Sequence, residues 1–244
     1  MYFPCIMCKK LPYCSAKFIE NHGGNINKIS VFGQDSNPTT VKVKNEGGAG
    51  MIISPQSLDT NLSQLLAEVK SGSMQLPEFQ RDWTWDDNRI KGIIASLSQG
   101  YPMGAIMRLQ YGNPDIQFKY RTITGVKGVS VKPEHLILDG QQRLTSIYQA
   151  TSSKDPVSTK TEKGKAIKRY YYLSMEQCLN DDEDRFDAVL SIPEDRKIKE
   201  NFDRDVKLDL STREYEYENK LFPVNIVFDS NAVMDWFMGY MTFY

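Results

Sequence analysis

The sequence predicts an α+β fold, a mixed sheet with helices around it, on three observations. Apolar residues recur at helical spacing in several stretches; apolar or alternating runs of strand length lie between them; and residues 135–150 join one of each through Asp139-Gly140. Composition agrees. At 244 residues, 40% hydrophobic and 25% charged, the chain can bury a sizeable core and resembles neither a disordered nor a membrane protein. No run is long enough to span a bilayer, and the N-terminus lacks the apolar core of a signal peptide, so no membrane partner and a cytoplasmic location are expected. With 30 Lys plus Arg against 31 Asp plus Glu there is no global basic field, and any contact with nucleic acid must come from a local patch.

Taken in order, residues 1–50 read as a poorly structured appendage. Gly23-Gly24, Asn37-Pro38 and Gly47-Gly48-Ala49-Gly50 punctuate it, leaving room for short strands at 28–32 and 40–43, and the second glycine run reads as a linker to a domain over 51–244. Ser57 can cap a helix over 59–70 that places Leu58, Leu62, Leu65, Leu66 and Val69 on one face. Asp86 or Asp87 can start the next, with Ile90, Ile93, Ile94 and Leu97 as its buried stripe. Strands are expected at 104–109, 117–123 and 135–138, with Gly125 and Gly128 bracketing a turn. Residues 151–169 read as a polar, lysine-rich loop leading into a tyrosine strand at Tyr170-Tyr171-Tyr172. Asp181-Asp182-Glu183-Asp184 reads as a solvated turn, because consecutive carboxylates do not converge on one ion. Short exposed pieces, helical in part, are expected over 187–219, a last strand at 221–228 and a helix from 231. The apolar end Met241-Thr242-Phe243-Tyr244 suggests a fragment of a longer protein.

The chemistry concentrates at 136–146, Leu-Ile-Leu-Asp-Gly-Gln-Gln-Arg-Leu-Thr-Ser. A strand that breaks at a glycine and enters a helix points unpaired N–H groups at whatever docks there, and the helix dipole favours an anion. Arg143 adds a permanent positive charge one turn in. Asp139 can cap the helix or hold a metal. A second polar junction, Pro77-Glu78-Phe79-Gln80-Arg81-Asp82-Trp83-Thr84-Trp85, and a third, Gly100-Tyr101-Pro102-Met103-Gly104, suggest loops gathered at one site. At the N-terminus Cys5, Cys8, Cys14 and His22 can supply four zinc ligands, although the Cys14 to His22 spacing fits no common finger and thiols are often simply small buried groups.

The order of these junctions, Pro77-Glu78-Phe79-Gln80-Arg81 with Trp85, then Gly100-Tyr101-Pro102-Met103-Gly104, then Asp139-Gly140-Gln141-Gln142-Arg143-Leu144-Thr145-Ser146, resembles the N-terminal domain of GmrSD-type restriction endonucleases. More distantly it is similar to the ParB/sulfiredoxin-like superfamily. The resemblance covers roughly residues 55 to 230. It implies a ParB-like fold, binding and hydrolysis of nucleoside triphosphates, sensing of modified phage DNA, and a nuclease domain or subunit as partner. It places the Asp-Gly-Gln-Gln-Arg box at the nucleotide.

On that footing, roles can be assigned. Arg81 and Arg143 would take the phosphates with Gln80, Gly140, Gln141, Gln142 and Thr145 around them, Asp139 would hold Mg2+, and Gln142 or Gln141 would orient water or hydrogen-bond the base. Asp139, Gln142 and Arg143 are thus the candidate catalytic residues. A nucleotide-gated DNA-binding module that leaves catalysis to a separate nuclease is the alternative. Lys160, Lys163, Lys165, Lys168 and Arg169, beside the tyrosine strand, are the candidate contacts to DNA, the other reading being a solvated loop.

Overall fold

The computed structural model describes residues 29–33, 56–112, 118–180, 182–201 and 204–244, with only the backbone of 29–33 and 56–59. Their contacts form two compact units, one from Lys28–Asp82 with Gly104–Gln141, the other from Trp83–Met103 with Gln142–Tyr244 among the described residues. Helices with one mixed sheet and further antiparallel sheets make the fold α+β, as the sequence predicts.

The first unit contains β1 (Ile29–Gly33), β2 (Gln56–Thr60), α1 (Leu62–Ser71), β3 (Met74–Pro77), β4 (Ile106–Gln110), β5 (Tyr120–Arg121) and β6 (His135–Asp139). The strands form one sheet in the order β2-β1-β4-β6-β3-β5. Pairing is parallel for β1 with β4 and for β3 with β6, and antiparallel elsewhere. Helix α1 buries Leu62, Leu65, Leu66 and Val69, the stripe its spacing predicts. Its start differs from expectation. Residues 56–60 are strand, and Asn61, not Ser57, is the cap, its side chain accepting from the Ser63 N–H. The apolar Leu58 alternates with polar neighbours as well as it fits a helix, and pairing with β1 decides between the two periods. Of the strand expected over 117–123, Tyr120–Arg121 is strand among the described residues, and Ile123 already accepts the Val126 N–H in a turn.

The second unit holds α2 (Asp87–Ser98), α3 (Gln141–Ser152) from its second residue onward, β7 (Val157–Lys160), β8 (Ala166–Ser174), α4 (Met175–Leu179), β9 (Val189–Pro193), β10 (Lys197–Glu200), β11 (Asp205–Asp209), α5 (Arg213–Glu218), β12 (Leu221–Pro223), a 3-10 turn and α6 (Ser230–Phe243). Strand β8 is the spine: β7, β9 and β12 all pair with it antiparallel. Ile90, Ile94, Val157, Tyr171, Leu173, Val189, Trp236 and Tyr240 share its core. Asp86 caps α2 through the Arg89 N–H, as expected.

Two polar stretches prove more ordered than their composition suggests. The lysine-rich residues 157–169 are largely the β7–β8 hairpin, turning at Thr161 to Gly164. Val157 and Thr159 are buried while Ser158 is exposed, a period of two that the surrounding Ser, Thr and Lys hide. Residues 187–219 supply three strands; Lys197 to Asp209, Lys199 to Asp195 and Lys207 to Glu200 ion pairs decorate the β10–β11 hairpin. The strand expected over 221–228 stops at Pro223, where the 3-10 turn begins. Behind it lies a buried polar knot. Glu216 accepts from the Tyr172 hydroxyl at 3.2 Å and the Trp236 indole at 2.9 Å, with Arg196 at 3.9 Å.

Candidate functional site

The break that the sequence places at Asp139-Gly140 is there. Strand β6 ends at Asp139 and α3 begins at Gln141, with Gly140 between them at φ 88°. That left-handed geometry favours glycine. An alanine there would meet the Cβ penalty of about 1–2 kcal/mol, so Gly140→Ala is expected to lower the melting temperature.

Within the first unit the second junction is tied to this break. Gln80 donates its amide to the Leu138 carbonyl at 2.7 Å, and Gln141 donates its amide to the Arg81 carbonyl at 2.7 Å. Arg121, from β5, donates to the Gln80 carbonyl at 2.9 Å and pairs with Asp82 at 3.1 Å. The Gln80-Arg81 backbone is therefore tied to the end of β6 by Gln80 and Gln141 and braced from β5 by Arg121. That leaves the Arg81 side chain exposed, as is Asp139. Gln141 is buried, its carbonyl oxygen without a protein partner among the described residues. Arg121 escaped the sequence reading, since nothing local marks an arginine forty residues away as the strut of a distant loop.

The second unit holds the remainder of the box. Gln142 accepts the Thr84 N–H at 2.9 Å, and Ser146 accepts the Trp83 indole N–H at 2.8 Å while donating to the Gln142 carbonyl. Arg143 donates to the Met103 carbonyl, which joins the third junction to the first turn of α3. Thr145 is fully buried in the second turn. Tyr171 and Ser191 both donate to Asp87 at the start of α2, and burial together with that carboxylate pushes the Tyr171 phenol far above its usual range.

The structure thus brings Gln80 and Arg81 beside residues 138–141, and Gln142 and Arg143 beside Thr84 and Met103. Of the basic residues proposed for DNA, Lys160 ends β7, Lys163 and Lys165 are exposed in the turn, and Lys168 pairs with Glu194 at 2.8 Å. That pairing raises the Lys168 pKa. Cys5, Cys8, Cys14 and His22 lie outside the described residues; Cys178 is buried. Among the described residues no three His, Cys, Asp or Glu side chains form a metal-ligand cluster, and no helix is long and apolar enough to cross a membrane.

Residues 62–239 match the family model described as GmrSD restriction endonuclease, N-terminal domain. Uncharacterized protein MJ0686 of Methanocaldococcus jannaschii is 28% identical over 177 residues, 70% of this chain and 29% of that protein. The chain therefore spans under a third of that curated relative. No solved structure matches. Since the family model covers well over half of the sequence, including all three junctions, the chain belongs to the GmrSD restriction endonuclease N-terminal domain family.

Proposed function

We propose that this chain is the nucleoside triphosphate-hydrolysing, DNA-sensing part of a modification-dependent restriction system that acts with a nuclease domain or subunit. Family membership supports the restriction setting. The observation that carries the nucleotide reading is the glycine break at φ 88° into α3, with exposed Asp139 before it and the exposed Arg81 loop held beside it by Gln80, Gln141 and Arg121. A helix start of this kind presents free N–H groups to phosphate oxygens, and Arg81 and Arg143 supply fixed positive charge. The ParB/sulfiredoxin-like architecture is part of the same proposal.

Magnesium fits this donor set in a limited way. No cluster of three protein ligands exists among the described residues, so Asp139 would be the box's one carboxylate, completed by phosphate oxygens and water, the arrangement Mg2+ often takes with nucleotides. The ion would neutralise charge developing on the transferred phosphoryl group. Gln142, whose carbonyl oxygen accepts the Thr84 N–H, would orient water or the nucleotide without acting as a base, since an amide is no base at neutral pH.

Phosphate release by the purified chain, with and without duplex DNA, tests the reading. Stimulated turnover supports it. Tight nucleotide binding without turnover would favour the gated DNA-binding module instead.

Arg81→Lys is expected to weaken triphosphate binding about tenfold, because an ammonium cannot reproduce a bidentate guanidinium contact. Isothermal titration measures this; an unchanged affinity would remove Arg81 from the phosphates. For DNA, reversing Lys160, Lys163 and Lys165 to Glu is expected to weaken duplex binding and to flatten its logarithmic salt slope by about 0.9 for each phosphate no longer neutralised. Turnover in the absence of DNA should stay as it is. An unchanged slope would return this hairpin turn to an ordinary solvated role.

A further inference from the structure

One exposed aromatic surface in the first unit is used by none of the chemistry above. Strand β5 lies at the edge of the sheet, opposite the stretch that leads into Gln80-Arg81. Pro77 pairs with Tyr120, and the Glu78 N–H reaches the Lys119 carbonyl at 2.8 Å, which sets Phe79 beside Phe118. Their rings meet edge to face at 5.3 Å and 71°. Tyr120, two residues on from Phe118, meets Tyr111 at 5.4 Å and 76°. Phe118 and Tyr120 are two residues apart where the chain runs beside Pro77-Glu78, the spacing at which residues of an extended chain share a face.

This surface is open and fixed. Phe79 is 64% exposed and Tyr120 39% exposed, although burial of such rings is the usual outcome. The backbones beneath them are pinned by the β3–β5 pairing, by Gln80 on the Leu138 carbonyl and by the Tyr111 hydroxyl on the Phe118 carbonyl at 3.2 Å. Edge-to-face pairs leave one flat face of a ring available to a further planar group.

The charge around it chooses the partner. Between Phe118 and Pro133 the chain carries Lys119, Arg121, Lys127 and Lys132 and no Asp or Glu, in a protein of net charge −1. Lys132 lies over the Tyr111 ring at 5.6 Å. Arg121 is tied to Asp82, Glu78 and Glu134 border the patch, and Lys119 and Lys132 are exposed beside the rings. Open rings interleaved with cations are what unpaired bases and a phosphate backbone require together: stacking is tolerant of sequence, and the lysines follow the phosphates.

We propose that the Phe79–Phe118–Tyr120–Tyr111 face binds single-stranded nucleic acid, stacking unpaired bases while Lys132 and its neighbours meet the backbone. It extends the DNA-facing part of the proposed function to unpaired bases and is independent of triphosphate turnover.

The test is fluorescence anisotropy with a labelled oligothymidylate of about twelve nucleotides, a length within the range such surfaces occupy. The parent chain is expected to bind it. Tyr120→Ala and Phe79→Ala are each expected to weaken binding about tenfold, and Lys132→Glu to lower the logarithmic salt slope by about 0.7. Both aromatic side chains are exposed, and circular dichroism will show that the variants stay folded. Asp139→Ala is expected to bind the oligonucleotide as the parent does, which separates failure of this inference from failure of the hydrolase reading. Three results would overturn it: no binding at up to about 100 µM protein, the weak end of the usual non-specific range; ring variants that bind like the parent; or displacement of the oligonucleotide by a mononucleoside triphosphate, which would assign the rings to the base of that ligand.

Discussion

Asp139→Ala is expected to reduce triphosphate turnover by more than tenfold while leaving the protein folded. The residue ends β6 in an exposed position, immediately before the Gly140 break, so removing its carboxylate opens no core cavity. On the proposed reading it is the box's only carboxylate available to a nucleotide-bound cation. Losing one charge-assisted contact is worth about 1.5–3 kcal/mol, which is more than a factor of ten. Phosphate release measures the loss and a thermal melt checks the fold. Turnover like the parent's in a folded Asp139→Ala protein would remove this residue from the reaction. Arg143→Ala is a less clean test than the sequence suggests. Its guanidinium is committed in part to the Met103 carbonyl, so its removal is expected to loosen the Gly100-to-Gly104 junction as well as any phosphate contact. A drop in both melting temperature and nucleotide affinity is the expected pair of results.

Glu216→Ala is expected to destabilise the protein by about 1–3 kcal/mol, the cost of leaving a buried donor without its acceptor. Glu216 is 3% exposed and accepts from both Tyr172 and Trp236. Its removal leaves the Trp236 indole N–H without an acceptor in the core. Denaturant unfolding measures this, and a loss below about 1 kcal/mol, typical of a surface site, would show that the knot contributes little.

The same group predicts a pH effect. Burial raises the Glu216 pKa above the ordinary carboxylate range, against the opposing pull of the Trp236 and Tyr172 hydrogen bonds and Arg196. The folded state therefore binds this proton more tightly than the unfolded chain, and the group's contribution to stability grows as pH falls from above the folded pKa toward the unfolded value, about 4.3. Relative to Glu216→Gln, which does not titrate, the parent is expected to be more stable at pH 5 than the same comparison shows at pH 7. A difference that runs the other way would mean that the hydrogen bonds outweigh desolvation.

Much of the fold was legible where one period dominated. The stripe Ile90, Ile93, Ile94, Leu97 and the stripe Leu62, Leu65, Leu66, Val69 both became buried helix faces, because a 3.6-residue repeat of aliphatics has few other solutions. The Asp86 cap and the break at Gly140 were legible for a related reason: a short polar side chain at a helix start and a glycine at positive φ answer local backbone needs. The order of the three junctions was enough to indicate the family, which the match over 62–239 shows.

What the sequence by itself determined, then, is whatever neighbouring residues decide among themselves: helix faces, caps, the glycine break and the linear motifs. The tertiary structure decided the rest. It turned 56–60 into strand through pairing with β1, made a hairpin of the lysine-rich residues 157–169, and recruited β9, β10 and β11 from a stretch that looks polar and exposed. It also chose Arg121 to hold the Gln80-Arg81 loop and Met103 to receive Arg143. Strand pairing and side chain to carbonyl bonds join residues tens of positions apart. Their formation depends on which partners the rest of the chain brings within reach, and local composition carries no trace of it.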